Sequence, residues 1–223
     1  MLLFILFILF IILLFYCLKN HVRIDFKSFF KKGIKLEDNI YGCYCYVGKQ
    51  GEGKTTGLVS YLLKQPKDIK IYSNMKLKGI KYTPINGFKG LMSLKNERNI
   101  IIVFDEIFTL LSKKSNRSVE WSEFLPFLAQ MRKRHIKLLT TAQEWLEIDL
   151  TFRRYCRYEI KCHSFNIPLL RFGILKKVVC NVDEMVYNPD IVEYEAPPIL
   201  TLFTKYNKDI VSHFDTYEVI NTY

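Results

Sequence analysis

The first 18 residues, MLLFILFILFIILLFYCL, are apolar without interruption and carry no charge. Such a run predicts a helix that is hydrophobic all round and about 27 Å long, close to the hydrocarbon thickness of a bilayer. The pattern then changes: residues 19–39 mix Lys19, Arg23, Lys27, Lys31, Lys32 and Lys35 with Phe26, Phe29 and Phe30. That predicts a basic connector lying near lipid headgroups. Residues 40–47 (IYGCYCYV) are β-branched and aromatic and predict a buried strand, while residues 55–64 (TTGLVSYLLK) place Leu58, Tyr61 and Leu62 at helical spacing. A second apolar run, NIIIVF at 99–104, predicts a central parallel strand covered on both faces. An amphipathic helix over 118–134 and a strand over 136–140 (IKLLT) follow, and FRRYCRYEIKC, with Arg153, Arg154, Arg157 and Lys161, reads as the start of another strand. Residues 168–223, rich in Ile, Val, Tyr and Phe between turn residues, predict extra strands. The prolines read as loop punctuation. Strands alternating with helices make the fold class α/β with a mostly parallel central sheet. The expected domains are an anchor at 1–18, a connector at 19–39 and one globular domain at 40–223.

No Lys or Arg precedes the apolar run, and Phe15-Tyr16-Cys17-Leu18 offers no small-residue cleavage site, so the run reads as an uncleaved single-pass transmembrane helix. The basic residues behind it place the N-terminus outside and the rest of the chain in the cytoplasm. The chain has 223 residues, enough for one ordinary domain plus a short appendage. Its 33 Lys and Arg against 22 Asp and Glu give a net charge of +11, which suits nucleic acid, an anionic membrane surface or both. The six cysteines include no CxxC pair, which excludes a zinc ribbon and a small disulfide scaffold. Cys43 and Cys45 alternate onto one strand face and read as packing. His21, His135, His163 and His213 have no metal-ligand spacing.

The chemistry concentrates between the first predicted strand and helix. Gly48-Lys49-Gln50-Gly51-Glu52-Gly53-Lys54-Thr55 satisfies G-x-x-x-x-G-K-[ST] at every fixed position and has the strand–loop–helix setting the motif needs. The loop's backbone N–H groups point at a phosphate at the helix N-terminus. The expected cradle is Gly48, Lys49, Gln50, Gly51, Glu52, Gly53, Lys54, Thr55 and Thr56, with Lys54 on the β/γ oxygens of ATP and the Thr55 hydroxyl on Mg²⁺. Asp105-Glu106, at the end of the 99–104 strand, adds a second Mg²⁺ ligand in Asp105 and a water-polarising base in Glu106. Gln143 follows the next strand, where a parallel sheet opens into its crevice, and there it can sense the γ-phosphate or orient water. Arg132-Lys133-Arg134 is either a solvated helix end or an arginine finger.

These residues resemble the P-loop ATPases of the FtsK/HerA superfamily, and within it the filamentous-phage assembly ATPases of the zonular occludens toxin (Zot-like) family. The resemblance runs through Gly48 to Thr55, IYSNMKLKG, Asp105-Glu106 and FLAQMRKRHIKLLTTAQEWLEIDLTFRR, and more loosely through the C-terminal FDTYEVI. It implies a RecA-like P-loop NTPase fold, with Lys54, Thr55, Asp105, Glu106 and Gln143 at nucleotide and sensor positions. It also implies a trans-acting finger at Arg132 or Arg134, a homo-oligomeric ring such as a hexamer, and phage DNA, single-stranded in that family, with coat or secretion-pore proteins as partners. Zot-like proteins carry the ATPase first and the membrane helix later, whereas here the apolar run comes first, an order similar to DNA translocases and conjugative coupling proteins.

The resulting expectation is a membrane-anchored ATPase that drives phage virion assembly, export or DNA translocation. A genome-packaging ATPase filling a preformed virion would share every catalytic residue. A nucleotide-switched membrane scaffold that does not move DNA is a third reading, separated from the others by whether DNA stimulates hydrolysis.

Overall fold

The computed structural model describes residues 2–19, 22–24, 41–107, 119–167, 172–190, 192–206 and 208–215. The first helix, α1 (Leu2–Lys19), forms over the leading apolar run, and its side chains at positions 4–16 are exposed on every side. Among the described residues no helix is long and apolar enough to cross a membrane. The 18 residues of α1 stop just short of the roughly 20 a span requires. Of the basic connector, Lys19 ends α1, Val22–Ile24 is a short strand, β1, and the remainder lies outside the described residues.

The phosphate-loop strand β2 (Gly42–Val47) and helix α2 (Lys54–Leu62) sit where the apolar pattern put them. They are followed by β3 (Lys70–Ser73), β4 (Thr83–Pro84), α3 (Gly87–Ser93), β5 (Ile100–Phe104), α4 (Val119–Gln130), β6 (Ile136–Ala142) and α5 (Leu150–Tyr155). The chain then enters β7 (Cys156–Ile167), β8 (Phe172–Asn181), β9 (Val186–Asn188), β10 (Glu193–Glu195), β11 (Pro198–Tyr206) and α6 (Lys208–Val211). One nine-stranded sheet has the order β1-β11-β8-β7-β2-β6-β5-β3-β4, and β9 and β10 form a separate hairpin. From β7 to β4 every pairing is parallel; β8 runs antiparallel to both β7 and β11, and β1 pairs parallel with β11 at the far edge.

Each face of the sheet holds its own core. Tyr44, Tyr46, Ile101 and Val103 pack with Leu58, Val59 and Leu62 of α2, and Cys43, Cys45, Ile100, Ile102 and Phe104 pack with Phe124 and Phe127 of α4. All five side chains of β5 are fully buried, each contributing about 2 kcal/mol of apolar burial. Helices on both faces explain why these strands read as unbroken apolar runs. Cys43 and Cys45 share the α4-side core, with Cys43 Sγ 3.4 Å from Cys156 Sγ.

Three local expectations are corrected. The helix expected over 118–134 ends at Gln130 and is followed by turns: Ile136 N–H donates back to Met131 O (2.9 Å) and His135 takes φ 57°, so Arg132-Lys133-Arg134 lies outside the helix. Pro126 lies inside α4, Pro84 in β4 and Pro198 at the start of β11, so these prolines do not mark loops. Arg153 and Arg154 belong to α5, capped by the Asp149 carboxylate accepting from Thr151 N–H (2.7 Å), and only Arg157 and Lys161 lie on the strand. The extra C-terminal strands do form. Of FDTYEVI, Phe214 is buried and bridges to Leu77, and the residues after Asp215 lie outside the described part.

Candidate nucleotide site

The loop between β2 and α2 is held from three sides. Gly53 caps α2 at φ 80°, ψ 21°, a left-handed conformation that glycine adopts without a Cβ penalty. A Cβ there would also stand 2.8 Å from Leu175 Cδ1, and one on Gly48 would stand 2.7 Å from Cys162 O, so β7 and β8 close directly on the loop. Ser164 Oγ donates to Gly51 O (2.9 Å), and on the other flank Gly48 N–H donates to Ala142 O (3.3 Å) at the end of β6. Within the loop, the Glu52 carboxylate accepts from Lys49 N–H (2.7 Å) and lies 2.9 Å from His163 Nδ1. Burial works to raise the Glu52 carboxyl, but the Lys49 N–H and His163 outweigh it and hold it below the usual carboxylate range.

Lys54 Nζ donates to Gly48 O (2.8 Å) and Lys49 O (3.1 Å), so the ammonium lies inside the curl of the loop. Burial lowers its pKa, and the charge of Asp105 is the largest opposing influence. Asp105 follows β5 and is fixed by Asn74: Asp105 N–H donates to Asn74 Oδ1 (2.7 Å), and Asn74 Nδ2 donates to Asp105 O (3.0 Å). The Thr141 hydroxyl donates to the Asp105 carboxylate and accepts from Glu106 N–H (2.8 Å). Burial raises the Asp105 pKa, opposed by that Thr141 hydrogen bond. Glu106 takes φ 55°, a conformation costly for a residue with a side chain and one that concentrates at functional sites.

Gly48, Lys49, Gln50, Gly51, Glu52, Gly53, Lys54, Thr55, Thr56, Asp105, Glu106 and Gln143 thus gather at the C-terminal edge of the parallel strands. Arg132 and Arg134 do not join them. They precede β6, at the opposite edge, and the seven residues of that strand separate them from Gln143 by about 23 Å. Arg134 Nη2 instead donates to Gln130 Oε1 (2.6 Å). Sequence reasoning missed Thr141, Asn74, His163 and Ser164. Thr141 and Asn74 had a readable signal, since each is a polar residue at the C-terminal end of a parallel strand.

Thr55 and Asp105 offer a hydroxyl and a carboxylate, hard oxygen donors of the kind Mg²⁺ prefers. Among the described residues no cluster of three or more His, Cys, Asp or Glu could hold a metal unaided. Asp105, part-buried beside Thr141, would supply one carboxylate to an ion otherwise completed by phosphate and water.

No protein-family model matches the sequence, and no curated protein does. Among solved structures, the chain is similar to the N-terminal domain of zonular occludens toxin from Neisseria meningitidis, at 16% identity and TM-score 0.53, covering 79% of this chain and 100% of that one. The DNA-packaging ATPase B204 of Sulfolobus turreted icosahedral virus matches at 12% identity, TM-score 0.42, over 71% of this chain and 98% of that one. The flagellar accessory protein FlaH of Methanocaldococcus jannaschii matches at 13%, TM-score 0.40, over 71% and 88%. The likeness to the zonular occludens toxin domain is one of fold: a mostly parallel α/β sheet with the glycine loop at the end of its central strand.

Proposed function

We propose that this protein hydrolyses ATP and uses the energy to move phage DNA at the cytoplasmic membrane, where α1 anchors it with the N-terminus outside. The observation that carries the hydrolytic part is the meeting of the Gly48–Thr55 loop with Asp105, Glu106 and Gln143 at one sheet edge. Loop N–H groups bind the β-phosphate, and Lys54 exchanges its two carbonyl partners for β/γ oxygens, stabilising charge that builds as the γ-phosphoryl leaves. Thr55 and Asp105 would hold Mg²⁺, which when bound neutralises phosphate charge. Glu106, its backbone fixed by Thr141, accepts the proton of the attacking water, and Gln143 orients that water.

The membrane part is supported by the uniformly apolar exposed surface of α1 and the basic residues that follow it, with Lys19 able to snorkel so that a helix of 18 residues suffices. The DNA part is supported by the +11 charge and by the resemblance to phage assembly ATPases. A homo-oligomeric ring would bring Arg132 or Arg134 of one subunit toward its neighbour's phosphates.

The test is phosphate release by the full chain in detergent, with and without single- and double-stranded DNA, beside Lys54→Ala. Hydrolysis that rises with DNA and vanishes in the variant is expected. Hydrolysis indifferent to DNA would replace the motor by the scaffold, and none at all would remove the ATPase. Alkaline carbonate extraction of the native membrane tests the anchor, which requires the chain to stay in the pellet.

A further inference from the structure

The antiparallel strands beside the phosphate loop are built in cross-strand rows. Ser164, Leu175 and Thr204 stand opposite one another on β7, β8 and β11, and two residues further along stand Asn166, Gly173 and Tyr206. The first row touches the loop: Ser164 Cβ and Leu175 Cδ1 lie 3.3 and 2.8 Å from where a Cβ on Gly53 would be, and Leu175 Cδ2 lies 3.3 Å from that of Gly57. The second row is therefore about 7 Å beyond the phosphate cradle on the α2 side of the sheet, a distance comparable to the length of a ribose.

Gly173 is not among the residues with positive φ, so its missing side chain serves space and not backbone conformation. A Cβ at Gly173 would fall 2.2 Å from Tyr206 Cζ and 2.5 Å from its Oη, so the end of the phenol ring occupies the space a side chain there would fill. Tyr206 is half-buried, packed in part against the α2-side core. A ring fixed in this way has already lost its rotamer freedom and is preorganised as a contact surface.

The polarity of the site sets where a bound nucleotide would run. Asp105 and Glu106 lie on the β5/β6 side of β2 and claim the γ end of the triphosphate, so the ribose end leaves on the β7/β8 side. We propose that the Tyr206 ring, laid over Gly173, is the platform on which the nucleotide base stacks, with the exposed Asn166 amide at its edge. This rests on the reading of the Gly48–Thr55 loop as an ATP site and adds the element that distinguishes a nucleotide from bare polyphosphate. Because stacking uses the face of the base, purines gain more than pyrimidines.

Calorimetric titration of the full chain in detergent with ATP and, separately, with inorganic tripolyphosphate tests it. Tyr206→Ala should weaken ATP by about ten- to a hundredfold and leave tripolyphosphate unchanged. Tyr206→Phe should keep both affinities, and Gly173→Ala, which evicts the ring, should behave as Tyr206→Ala. Unchanged ATP binding in Tyr206→Ala, or equal weakening of both ligands, overturns the platform. So does an unaltered chain that binds tripolyphosphate as tightly as ATP, with the phosphate site left standing. An unaltered chain that binds neither ligand removes the ATP site and the platform together.

Discussion

The two halves of the sheet are built on different terms. From β7 to β4 the strands are parallel, the central β2, β6 and β5 are covered on both faces, and polar residues gather at their C-terminal edge. On the other side of β7, β8 runs antiparallel to both β7 and β11, β1 pairs parallel with β11, and β8 alternates buried with half-exposed positions as one-sided strands do. The parallel half carries Lys54, Asp105 and Gln143, and the antiparallel half presses Leu175, Ser164 and His163 against the Gly48–Thr55 loop. In the proposed reaction one half would carry the reacting groups and the other would shape the loop beside them.

If that division is right, the strongest disruption comes from the parallel half. Lys54→Ala should cut the rate of ATP hydrolysis by at least about a hundredfold, with the thermal midpoint almost unmoved, as phosphate release and a melting curve would record. In the antiparallel half, Leu175→Ala should do the reverse in kind. It removes a fully buried side chain wedged between Gly53 and Gly57, so it should cost about 3 kcal/mol of stability in denaturant titration and raise KM more than it lowers kcat.

Glu159 sits on β7, the shared border strand, and should make stability depend on pH. Burial raises its carboxyl to about 7, with Lys161 and Arg153 opposing. The folded protein therefore holds a proton that the unfolded chain has released between about pH 4.5 and 7, and stability falls as pH rises through that window. Above it, the accumulated loss is about 3 kcal/mol, and Glu159→Gln should flatten the profile of melting temperature against pH. A smaller effect is expected at Thr141→Val, where loss of the hydroxyl that holds both Asp105 and Glu106 should lower kcat about tenfold with KM little changed. His163→Ala, which removes only a half-exposed pair with Glu52, should leave kcat within about twofold of the parent.

The same division governs what could be read before any coordinates. The loop, α2 and β5 were legible because doubly covered parallel strands advertise themselves as apolar runs and because the glycine motif is continuous in sequence. The grip of Thr141 on Asp105 and of Asn74 on its backbone was not, since these partners lie 36 and 31 residues apart and meet only through strand register. The place of β8 was likewise hidden: periodicity announces a strand but not which neighbour it joins. The end of α4 at Gln130 was misjudged because Met131 and the basic residues after it suit a helix locally, while the turn into β6 is dictated by the sheet.

The pairing of β1 with β11 bears on mechanics. Only three Cα steps, about 10 Å of chain, separate Lys19 at the end of α1 from Val22 on the outermost strand. So short a leash has almost no slack, and whatever restrains α1 takes up load from the sheet at its rim, the edge farthest from β4. A load on α1 would therefore enter at one side of the molecule and cross the whole sheet before reaching β4, the sheet acting as a lever arm.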